Sequence, residues 1–92
     1  MKVTVTAFAT ARFETSLGYL RSESLRAAER VRASVDAAID SLASMPARGR
    51  LGPIPGTREL VVRGTPFVIV YEVTADAVTI LRIRHTSQDP SP

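Results

Sequence analysis

The stretch from Arg58 to His85 limits the possible folds most. It is three short apolar runs cut by turn residues: RELVV (58–62), then RGTP, FVIVYEV (67–73), then TAD, and AVTILRIRH (77–85). Runs this short, rich in Val and Ile and bounded by Gly, Pro, Asp and Thr, predict a three-stranded antiparallel meander. Alternation along the middle run puts Val68 and Val70 on one face and Phe67, Ile69, Tyr71 and Val73 on the other. Both faces are then substantially apolar, and a single layer of helices covers only one. The other face is expected to meet a partner.

The rest of the chain supplies the cover. KVTV (2–5) alternates and predicts an edge-type strand with Val3 and Val5 on one face. Thr6 is a candidate N-cap for a helix from about Ala7 to Arg21, where Phe13, Leu17 and Leu20 fall on one side. Gly18 weakens that helix without excluding it. Ser22 or Ser24 can cap a second helix whose apolar stripe is Val31, Val35, Ala38, Ile39 and Leu42. Arg32 and Asp36, four residues apart, are expected to pair along it. Two helices with so short a link form an antiparallel hairpin. Pro46 ends the helical region, and ARGRLGPIPG (47–56), with its glycines and prolines, predicts a loop. TSQDPSP (86–92) has nothing to bury and is expected to fray. The expected class is α+β in the order β-α-α-β-β-β, an N-terminal strand with a helix hairpin packed on one face of a three-stranded antiparallel meander. Ninety-two residues make one domain, 1–92.

Composition narrows the chemistry. The chain has no cysteine and one histidine, which excludes a disulfide framework, a thiolate metal site and a cysteine nucleophile, and argues against a multi-ligand zinc site. No cofactor is expected. The formal charge is +3, and of the 12 basic residues only Lys2 is lysine. The arginine fork matches phosphate and carboxylate geometry, so nucleic acid or an acidic protein is allowed as partner, although codon bias produces the same excess. No run of 18 apolar residues and no basic leader are present, so a cytoplasmic location is expected.

GRLGPIPGTREL, PFVIVYEV and VTILRIRH, together with TAFATARFETSLGYL and SLRAAERV, resemble the RelE/ParE superfamily, the toxins of bacterial type II toxin–antitoxin modules. The likeness runs from Val3 to His85. It implies a cognate antitoxin whose tail wraps the toxin in a hetero-oligomer, and one of two activities. The RelE branch cuts messenger RNA on the ribosome without a metal; the ParE branch inhibits DNA gyrase by binding it. A degenerate, non-toxic member is a third outcome.

Cutting RNA through its 2'-hydroxyl needs a group to take that proton and cations for the phosphoryl intermediate. His85 could serve as acid or base, Glu59 or Glu72 as base, and Arg50, Arg58, Arg82 and Arg84 as cations. A strand-end histidine is more often a hydrogen-bonded cap, and edge arginines a solvated rim. The ribonuclease members that His85 matches carry a tyrosine beside it, where this chain has Thr86. They also carry a basic residue at the start of the middle strand, where this chain has Val68. The resemblance therefore leans toward the ParE branch, with no catalytic residue. The expected partner surface comprises Arg48, Arg50 and Arg58 around the Gly/Pro loop, Val68, Val70 and Tyr71 on the middle strand, and Arg82 and Arg84 on the last. A structural alternative for Arg58 is that it pairs with a neighbouring carboxylate and anchors the loop, and one for Tyr71 is a core position with its hydroxyl at a rim.

Overall fold

Thr6 starts the first helix and ties it to the sheet. Its hydroxyl accepts the Ala9 N–H at 3.1 Å, and its own N–H donates to the Ile80 carbonyl at 3.1 Å. The computed structural model describes residues 1–87. The elements are β1 (Lys2–Val5), α1 (Ala7–Glu23), α2 (Leu25–Ser41), β2 (Arg50–Leu51), β3 (Thr57–Val61), β4 (Phe67–Val73) and β5 (Ala77–His85). The order β-α-α-β-β-β and the helix hairpin match the sequence expectation. Helix α1 runs one residue pair beyond Arg21, and Ser24, not Ser22, is the junction. Its N–H closes α1 on the Leu20 carbonyl while its hydroxyl accepts the Ala27 N–H that opens α2. One residue serves both helices, so the chain reverses with no loop between them.

The meander β3-β4-β5 is extended at both edges into a five-stranded sheet of order β1-β5-β4-β3-β2. β1 joins β5 in parallel, Lys2 opposite Ala77 and Val5 opposite Ile80. β2 is a two-residue strand inside the Gly/Pro loop, Arg50 opposite Glu59. Gly64, at φ 79°, makes the tight β3–β4 turn that only a glycine enters without strain.

The hairpin packs on one face. Its buried residues, Phe13 and Leu17 from α1, Val31, Val35 and Ala38 from α2, and Leu42 at the cap of α2, meet Leu60, Phe67, Ile69, Tyr71, Val78, Ile80 and Ile83. Phe13 and Phe67 meet edge to face with centroids 5.2 Å apart. Arg32 does not pair with Asp36 along α2 as expected. It reaches across the hairpin to Glu14 of α1, where the two helices lie side by side. Of the tail expected to fray, Thr86 is anchored by its N–H to the Pro66 carbonyl at 2.7 Å, and residues 88–92 lie outside the described residues.

A bulge in β5 sets the other face. The register steps from Val70 opposite Arg82 to Tyr71 opposite Ile80, which leaves Leu81 as the extra residue. With strict alternation, Val78 and Ile80 facing the helices would bring Arg82 and Arg84 inward too. The bulge flips the phase, so Ile83 enters the core and both arginines point away from it. The carbonyls at the bulge are satisfied by Thr6, whose hydroxyl lies 3.5 Å from the Leu81 oxygen. The start of α1 is thus fixed at the irregularity that turns the arginines outward.

Candidate partner interface

The sheet face away from the helices carries arginines. Cross-strand register aligns Arg50, Glu59, Val70 and Arg82 in one row and Val61, Val68 and Arg84 in the next. Glu59 sits between two guanidinium groups, 3.0 Å from Arg50 and 3.8 Å from Arg84. The Arg84 and Glu59 side chains are only 11% and 14% exposed, whereas Arg50 is 68% exposed. Val61 is exposed and Val70 half-buried. The face expected to be broadly apolar is instead a mixture of short aliphatic groups and arginines.

Three expected partner contacts change place. Val68 is buried even without a partner, flanked in the sheet by Val61 and Arg84. Tyr71 is fully buried and faces the helices. Its O–H donates to the Pro46 carbonyl at 2.8 Å, and its oxygen accepts the Gly49 N–H at 2.8 Å. A phenol wholly occupied in pinning the 46–49 loop has no surface to offer. Arg58 lies in the same row as Tyr71, and its Nη1 donates to the carbonyls of Gly49 at 2.7 Å and Ala47 at 3.4 Å. It anchors the loop as its structural alternative expected, but through carbonyls in place of a carboxylate. Gly49 is required there, because a Cβ would come within 2.8 Å of both the Glu59 carbonyl oxygen and the Tyr71 hydroxyl. Arg48 is exposed and donates to Ser41 Oγ at 2.7 Å, at the end of α2.

The possible catalytic residues are not brought together. In β5 the odd positions after the bulge face the helices. His85 therefore stands opposite Phe67, their rings edge to face at 5.3 Å, while Arg82, Arg84, Arg50 and Glu59 are on the other side of the sheet. Its Nδ1 accepts the Ser87 N–H at 3.0 Å. His85 lies at the edge of a cleft of about 650 Å³ between the hairpin and the end of the sheet, with Leu20, Ala27, Val31 and Phe67 among its walls and Tyr19 at its rim. Glu72 is exposed on β4, opposite Thr79. The sequence does carry a signal for this division. Val78 and Ile80 keep one phase of alternation and Leu81 and Ile83 the other, a change that implies an irregularity between them.

With this geometry the chain can be set beside known proteins. The family model for the ParE toxin of the type II toxin–antitoxin system parDE matches residues 4–90. A putative toxin, Y4kP, of Sinorhizobium fredii is 43% identical over 70 residues, covering 76% of this chain and 72% of that protein. A toxin named RelE2 of Caulobacter vibrioides is 44% identical over 70 residues, 76% and 77% of the two chains. A solved structure of the chromosomal ParDE system of P. aeruginosa shares the fold with a TM-score of 0.79 at 23% identity, covering 92% of this chain and 95% of that one. No helix among the described residues is long and apolar enough to cross a membrane. The chain belongs to the ParE toxin family, within the RelE/ParE superfamily of type II toxin–antitoxin systems.

Proposed function

We propose that this toxin acts by holding DNA gyrase and cuts no nucleic acid, and that its antitoxin silences it by covering the arginine face. The observation that carries the reading is the division across the sheet. General acid–base cleavage needs the proton-transfer group and the phosphate cations within reach of one substrate. Here the histidine is on the helix side and the arginines Arg50, Arg82 and Arg84 are on the other. The tyrosine and basic residue of the ribonuclease pattern are replaced by Thr86 and by a buried Val68. A binding toxin requires none of that machinery. The gyrase target comes from the likeness to the ParE branch.

The test follows two readouts: fragmentation of translated messages in cells expressing the toxin, and supercoiling by purified gyrase in the presence of purified toxin. Intact messages and impaired supercoiling are expected. His85→Ala should leave toxicity within a few-fold of the parent, whereas a histidine acting as acid or base would lose roughly 10²–10⁴-fold in cleavage. Translation-dependent cleavage that vanishes in His85→Ala would replace this reading with the ribonuclease one.

A further inference from the structure

We propose that Glu59 is an internal stand-in for a partner's carboxylate, so that the arginine face is an anion site that the toxin fills itself until an acidic peptide takes it over. The inference rests on the antitoxin reading for the identity of the peptide, but the occupancy of the site stands on the toxin alone. Three arginines, Arg50, Arg82 and Arg84, share this face with two carboxylates, Glu59 and Glu72. Glu59 engages two of them, and Arg82 lies in the same cross-strand row beyond Val70. Three cations against two carboxylates leave the group attractive to further negative charge even after Glu59 and the exposed Glu72 are counted. Low exposure of Glu59 and Arg84 strengthens their attraction relative to a pair in open water. It also fixes Arg84 over the sheet before any partner arrives.

The surroundings favour a peptide over a nucleic acid. Single-stranded RNA is held by stacking bases on aromatic rings as well as by phosphate contacts. Along this face the neighbours of the arginines are Val61 and Val70 and, one row on, Thr57, Glu72 and Thr79, while Phe67 and Tyr71 point into the core. Short aliphatic groups beside cations suit an amphipathic segment bearing a carboxylate among apolar side chains. Its carboxylate would exchange with Glu59 on Arg84 and Arg50, one charge-assisted pair for another. The resting pair thus weakens apparent affinity by the fraction of molecules in which Glu59 holds the site. A segment that brings only charge gains little from that exchange. One that also covers Val61 and Val70 gains the buried area, which makes the stand-in a filter against other anions.

The first arm uses sulfate as the probe and the arginine side-chain Nε–H signals of the full chain as the readout. Glu59→Gln should bind sulfate about tenfold more tightly than the parent, the scale of a charge-assisted hydrogen bond, with shifts at Arg50 and Arg84. Equal affinities, or shifts elsewhere, overturn the stand-in role whatever the partner is. If Glu59→Gln does not fold, the parent supplies the same answer. Saturation with a synthetic peptide of alternating leucine and glutamate should move the Glu59 carboxylate and Arg84 signals together, and their immobility overturns the proposal. The second arm compares that peptide with an RNA oligonucleotide of equal charge. Tighter peptide binding supports the choice of partner. Tighter RNA binding at the same arginines overturns it, and with it the antitoxin reading of this face, while leaving the sulfate result intact.

Discussion

Tyr71 shows how one side chain can be buried and polar without penalty: both capacities of its hydroxyl are used inside the molecule, by Pro46 and Gly49. Tyr71→Phe keeps the ring and strands both partners, so a loss of about 1–3 kcal/mol is expected. Faster hydrogen exchange at the Gly49 amide would locate the effect, and unchanged exchange would show that water replaces the phenol. Leu42 makes the contrasting case. It is fully buried at the end of the helix stripe, and Leu42→Ala should cost about 2–4 kcal/mol in urea unfolding through lost transfer energy and a cavity. A loss below about 1 kcal/mol would mean that the surrounding core collapses into the gap. The inward orientation of Leu42 can be read from helical spacing. That of Tyr71 can be read from strand parity, but the destination of its hydroxyl cannot, because Pro46 and Gly49 lie in a loop whose path has no period.

Among the elements, Ser24 is the most economical device, since it ends α1 and begins α2. Ser24→Ala should lower stability by about 0.5–2 kcal/mol through the lost cap. Ser22→Ala, two residues earlier and exposed, should change stability by less than about 0.5 kcal/mol in urea unfolding. Equal effects from the two serines would contradict the assignment of the junction. Both helices and the three long strands were legible in the sequence because each has several residues of its own period. The two-residue β2 was not, since Arg50 and Leu51 offer no alternation to detect. Nor was the parallel docking of β1 on β5, which depends on contacts far apart in the chain. The arginine residues of the candidate site could be named from sequence. Their common face could not, because the bulge at Leu81 decides it.

At the scale of the whole molecule, the proposed recognition surface is set apart from the core. The helix hairpin closes the core on one side of the sheet, and Arg50, Arg82 and Arg84 stand on the other. Partner association should therefore depend on salt more than does the stability of the toxin itself, with exposed Arg50 setting much of the rate. Reversal of Arg50 and Arg84 to glutamate should slow association with the antitoxin by about tenfold or more at low ionic strength. The difference should shrink in high salt. Stopped-flow measurements with folded variants would decide it, and unchanged rates at low salt would remove electrostatic steering from the account.

The pairing of β1 with β5 also puts a clock into the making of this protein. Lys2 meets its neighbour only when Ala77 has been polymerised. At roughly 5–20 residues per second that is a delay of about 4–15 s. Through that interval the five-stranded sheet cannot be completed, and Arg82 and Arg84 do not yet exist. The arginine face is completed last. A cell that keeps antitoxin at hand would meet each new toxin molecule as the arginine face proposed to bind it is completed.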